Sequence, residues 1–90
     1  MRAAATLTIV NAKGLHARAA AKFVEVVERH DATARVARGG QSVMGDSIMG
    51  LLMLAASTGT TIDVACEGPE AALLLAALQD LVAGRFGEDA

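Results

Sequence analysis

Ninety residues with eight basic and ten acidic side chains, a net charge of −2, suit one domain and exclude a general nucleic-acid binder, which needs a basic excess. Hydrophobic residues make up 53% and aromatics only 2%, so the core has to come from Ala, Leu, Val, Ile and Met. The single cysteine, Cys66, excludes an internal disulfide framework and a Cys-rich zinc site. Met1–Thr8 does not read as a signal peptide, and the longest apolar run, Ala71–Leu78, is too short to cross a membrane. The expectation is a soluble, cytoplasmic protein.

From Ala5 to Val10 apolar and polar residues alternate, predicting a half-buried strand with Leu7 and Ile9 inward. Asn11–Gly14 breaks that pattern, and Gly14 can adopt backbone angles closed to other residues. From Ala17 onward an alanine-rich run places Ala20, Phe23, Val24 and Val27 at helical spacing, with His30 and Asp31 closing the helix. Alternation returns over Ala32–Arg38, the Gly39-Gly40 pair signals a hairpin, and Gln41–Met44 is the return strand. Gly45-Asp46-Ser47 leads into an almost wholly apolar helix over Ile48–Ala56, with Asp46 or Ser47 as its N-cap. Thr60–Glu67 reads as a strand with Ile62, Val64 and Cys66 inward. Gly68-Pro69-Glu70 then opens a last helix whose buried stripe is Leu74, Leu78, Leu81 and Val82, and Gly84 or Gly87 lets it stop. The order β-α-β-β-α-β-α predicts an α+β sandwich, a mostly antiparallel sheet with helices on one face.

Chemistry gathers in Gly14-Leu15-His16-Ala17-Arg18. A helix starting near His16 leaves unpaired N–H groups in its first turn, and these, with the positive end of the dipole, suit a phosphoryl anion. Arg18 adds a planar cation able to pair with phosphate oxygens, and Gly14 would let a partner's backbone approach. Neutral imidazole can attack near pH 7 and hold a covalent group for relay. By residue chemistry alone, a His beside an Arg at a helix start is more often a cap or surface decoration.

Two segments settle the reading. Gly14–Val24, sequence GLHARAAAKFV, resembles the active-site segment of the HPr phosphocarriers of the bacterial phosphotransferase system, and Ser47–Leu54, sequence SIMGLLML, resembles that family's segment around its regulatory serine. Their separation, the chain length and the order of elements fit as well. The resemblance implies an open-faced sandwich of four strands with three helices on one face. It also implies phosphorylation of His16 on Nδ1 by enzyme I, which draws on phosphoenolpyruvate, and onward transfer to a IIA-type protein. Arg18 and the backbone amides of Ala17 and Arg18 would hold the phosphoryl oxygens. Such a protein is a stoichiometric carrier rather than an enzyme, with no metal, no cofactor and a monomeric state. Where sugar-transport members usually have proline after the arginine, this chain has Ala19, which resembles the regulatory, nitrogen-related branch. Alanine there keeps one N–H donor.

Ser47 suffices as an N-cap, and the resemblance adds phosphorylation by an HPr kinase/phosphorylase. A phosphate would bring about −1.5 to −2 charges to the surface that partners meet. Asp46 replaces a lysine common in the family and makes that surface more acidic. The helix after Ser47 is too apolar to be buried all round, so Ile48, Met49 and Leu52 are expected to form a partner-docking patch. His30 reads as a helix-end side chain, Cys66 as a small buried hydrophobe, and Arg35 and Arg38 as a solvated strand edge. Two alternatives stay open at this level: a regulatory HPr-like binding module acting through Ser47 and its apolar patch, and a small ligand-binding α+β domain.

Overall fold

A first strand, β1 (Arg2–Thr8), lies antiparallel against β4 (Thr61–Glu67) in an unbroken register from Arg2↔Glu67 to Thr8↔Thr61 in the computed structural model, which describes residues 1–90. Strand β4 pairs on its other side with β2 (Thr33–Arg38), and β2 with the hairpin strand β3 (Gln41–Met44), giving the order β1-β4-β2-β3 with every pairing antiparallel. Strand β1 starts three residues earlier than the alternation suggests. Ala3 and Ala5 have small side chains, yet both face the core, and the long partner β4 offers hydrogen bonds along the whole stretch. Ile9 lies beyond the ladder but is fully buried, and its backbone is held by Thr60 and Gly59.

Helices α1 (Ala17–Glu28), α2 (Ile48–Met53) and α3 (Ala71–Ala83) cover the inward face, against Leu7, Ala34, Val36, Ile62, Val64 and Cys66. The expected stripe of α1, Ala20, Phe23, Val24 and Val27, is buried. In α3, Ala71 and Leu75 join Leu74, Leu78 and Val82, whereas Leu81 is only partly buried. Both phenylalanines are fully buried, each worth about 1.5–3 kcal/mol of hydrophobic transfer. Cys66 is enclosed in this core, where burial pushes its thiol pKa up. No helix is long and apolar enough to cross a membrane.

Two further details differ from the sequence reading. Helix α2 ends at Met53, short of Ala56, because Ala55 turns into the left-handed region at φ 50°. The carbonyl of its C-cap, Leu54, accepts from Arg38 at 3.1 Å, so this arginine ties β2 to the end of α2 and is no solvated edge residue. Glu70 caps α3 by backbone position only, since its carboxylate accepts from the Asp31 N–H at 2.6 Å.

Candidate phosphoryl-transfer site

His16 is the N-cap of α1, extended at φ −81° and ψ 178°, and its carbonyl accepts the first helical bond from Ala20 at 2.8 Å. Its side chain bonds none of the helix amides. The N–H groups of Ala17, Arg18 and Ala19 therefore have no backbone partner, the donor set that favours an anion at a helix start.

Gly14 and Leu15 place that cap. Gly14 sits at φ +67°, and a Cβ there would stand 2.6 Å from the Ala56 carbonyl oxygen. That same oxygen accepts the Leu15 N–H at 2.9 Å. Gly14 is buried, so the space left by its missing side chain is filled by this chain's own backbone rather than kept open for a partner. The early end of α2 thus has a purpose: it frees Ala56 to brace the loop before His16.

The imidazole is partly exposed, at 27%, and its Nε2 meets Oε2 of Glu88, a carboxylate 72 residues further along the chain. Nδ1 takes part in no hydrogen bond. Glu88 Oε1 accepts from Asn11 Nδ2 at 3.0 Å, and that amide, fully buried, also donates to Gly14 O at 2.8 Å. The hydrogen bond with His16, then that with Asn11, holds the Glu88 carboxyl below its ordinary 4.5, and the charges of His16 and Lys13 add to this.

Arg18 is exposed and its guanidinium has no intramolecular partner. With Lys13, Lys22, Gly87 and Glu88 it lines a shallow groove beside the helix start. Lys22 donates to Phe86 O at 2.6 Å. No group of three His, Cys, Asp or Glu side chains is arranged to hold a metal ion.

Ser47 stands apart from this cluster as the N-cap of α2, where its Oγ accepts the Gly50 N–H at 3.0 Å; Asp46 beside it makes no such bond. Of the expected docking residues, Ile48 and Met49 are exposed, Met49 at 71%, while Leu52 is half-buried against the core. Met53 is exposed and extends the patch. His30 Nδ1 donates to Val26 O at 2.8 Å, the structural helix-end role its position suggests.

Asn11 and Glu88 are the site residues that sequence reasoning missed. Asn11 looks like an ordinary strand-breaking residue. For Glu88 one signal was present: Phe86, one of only two phenylalanines, follows the last helix, and an apolar residue so placed draws the chain back to the core.

Comparison with known proteins gives one answer. The family model for the PTS HPr component phosphorylation site matches residues 3–84. The phosphocarrier protein HPr of Pseudomonas aeruginosa is 48% identical over 83 residues, covering 91% of this chain and 92% of that protein. The HPr of Cupriavidus necator is 42% identical over 81 residues, covering 90% and 91%. Among solved structures, HPr-C-His from Thermoanaerobacter tengcongensis superposes with a TM-score of 0.93 at 34% identity, covering 98% of this chain and 99% of that one. The HPr of Bacillus anthracis gives a TM-score of 0.85 at 34% identity, covering 90% and 96%. The chain belongs to the HPr family, the phosphocarriers of the phosphotransferase system.

Proposed function

We propose that this chain, as one cytoplasmic domain, accepts a phosphoryl group on Nδ1 of His16 from enzyme I, which draws it from phosphoenolpyruvate. It then passes the group to a IIA-type protein. The observation that carries the reading is the combination at one helix start of an uncapped, partly exposed imidazole with free Nδ1 and three amides without backbone partners. Arg18 pairs with the phosphoryl oxygens, and the Ala17 and Arg18 amides hold the rest of the anion. No group is consumed: the protein is a stoichiometric carrier that works as a monomer through transient partners.

Ser47 is the second modification site, phosphorylated by an HPr kinase/phosphorylase. Its hydroxyl already caps α2, so a phosphate there keeps an acceptor at the Gly50 N–H and leaves the helix intact. The added charge acts on partners that dock at Ile48, Met49 and Leu52. Ala19 supports assignment to the nitrogen-related branch.

Incubation with enzyme I and phosphoenolpyruvate tests the reading. An acid-labile phosphate is expected, lost in His16→Ala and retained in Ser47→Ala. Absence of transfer, or transfer to His30, overturns it. HPr kinase should in turn add an acid-stable phosphate that disappears in Ser47→Ala.

A further inference from the structure

We infer that Glu88 is a positioning residue for the phosphoryl-accepting ring: its carboxylate takes the Nε2–H of His16, which leaves the lone pair on Nδ1 as the attacking one. An ionised carboxylate has only acceptor sites, and a neutral imidazole carries one N–H. The contact between Nε2 and Oε2 therefore selects the tautomer protonated at Nε2. This is the arrangement by which carboxylates orient catalytic and metal-binding histidines elsewhere.

The carboxylate is itself held on both sides. Oε2 faces His16, while Oε1 receives the amide of Asn11, which is buried completely and anchored to Gly14 O in the loop that sets His16. The segment that delivers Glu88 is equally specified. Phe86 is fully buried and Lys22 grips its carbonyl. Gly87 N–H donates to Gly84 O at 3.0 Å, and Glu88 N–H to Arg85 O at 2.9 Å. Arg85 and Phe86 both adopt positive φ, 59° and 54°, a region that side-chain-bearing residues enter reluctantly. Three residues in a row with positive φ, ending at Gly87 with 78°, turn the chain back so that the next residue reaches the imidazole. Glu88 lies four residues beyond the span matched by the family model, which ends at Gly84.

The second consequence rests on the carrier reading. As Nδ1 bonds to phosphorus, the bond between phosphorus and the donor's leaving atom breaks, and its electron pair stays with the donor. No proton leaves the ring. Nε2 keeps its hydrogen, the ring becomes positively charged, and the Glu88 carboxylate lies against that charge; on delivery the same steps run in reverse. Lys13, Arg18 and Lys22 line the groove that Glu88 shares, and Asp89 is the only other carboxylate side chain lining it. Glu88 is thus the one carboxylate in contact with the ring.

Two measurements on the full chain decide this. Long-range proton–nitrogen spectra of unphosphorylated protein at about pH 8, where an ordinary imidazole is neutral, should show wild-type His16 protonated only at Nε2. Glu88→Ala should show both tautomers while keeping a native amide spectrum. With enzyme I and phosphoenolpyruvate, Glu88→Gln should lower kcat about tenfold with KM little changed, and Glu88→Asp should recover part of the loss. An unchanged tautomer ratio in Glu88→Ala overturns the positioning role, and an unchanged kcat in Glu88→Gln overturns the effect on transfer. Failure of the wild-type protein to accept phosphoryl overturns the carrier reading and the charge argument with it. The tautomer spectra need no phosphorylation and decide the positioning role in either case.

Discussion

Replacing Gly14 by alanine tests how tightly the loop before His16 is built. A Cβ at that position would stand 2.6 Å from Ala56 O and 3.0 Å from Ser57 Cα, both backbone atoms that cannot swing aside. Two costs combine. Alanine at φ +67° costs about 1–2 kcal/mol for entering the left-handed region, offset by about 0.4–1 kcal/mol because the unfolded chain loses freedom. The clash adds overpacking strain of about 1–3 kcal/mol. Gly39 supplies the internal control, since it has φ +60° with nothing within 4 Å of the added atom. Gly39→Ala therefore carries the first cost alone. Urea denaturation and thermal melts by far-UV circular dichroism should find Gly14→Ala less stable than Gly39→Ala by about 1–3 kcal/mol. In a domain of this size that separates the melting temperatures by at least about 4 °C. Phosphoryl acceptance should fall as well, because the displaced Ala56 carbonyl is the one that holds Leu15. Equal stability of the two variants would refute the bracing role assigned to Ala56.

Three further outcomes follow from the same geometry. Arg18→Glu should slow transfer from enzyme I by at least about tenfold with an unchanged circular dichroism spectrum, since the guanidinium supports no fold contact; an unchanged rate removes Arg18 from the site. Ser47→Ala should cost about 1 kcal/mol in urea denaturation through loss of the cap on Gly50, and a cost near zero would contradict that bond's contribution. Glu88 is held below its ordinary 4.5, so its contacts stabilise the fold fully above that value and are lost as pH falls through the lowered one. The stability gap between wild type and Glu88→Gln should accordingly shrink on acidification from neutral pH, and a gap constant with pH would refute the assignment.

What could be read from the sequence was whatever repeats at short range. Alternation in Ala32–Arg38 and Thr60–Glu67, and helical spacing from Ala20 to Val27, placed strands and helix faces within a residue or two. Gly39-Gly40 marked the hairpin for the same reason. His16 stood out as a candidate because its chemistry is local, a histidine followed by amides and a cation within one turn, but only the resemblance of Gly14–Val24 to the HPr active-site segment raised it above a surface residue. Long-range effects escaped. The early end of α2 depends on Ala55 entering a conformation that no alanine announces, and on a carbonyl needed by Leu15, some 40 residues away in the chain. Glu88 reaches His16 across 72 residues only because Phe86 buries itself and two non-glycine residues accept positive φ. Arg38 likewise looks solvent-bound until the end of α2 is in place beside it.

The most direct test of the account is to locate the phosphoryl group on the ring. Nitrogen-15-labelled protein, phosphorylated by enzyme I and phosphoenolpyruvate, should show phosphorus coupling to Nδ1 of His16, with the hydrogen still on Nε2 facing Glu88. Coupling to Nε2, or a phosphate on any other residue, would contradict both the carrier chemistry and the role given to the carboxylate.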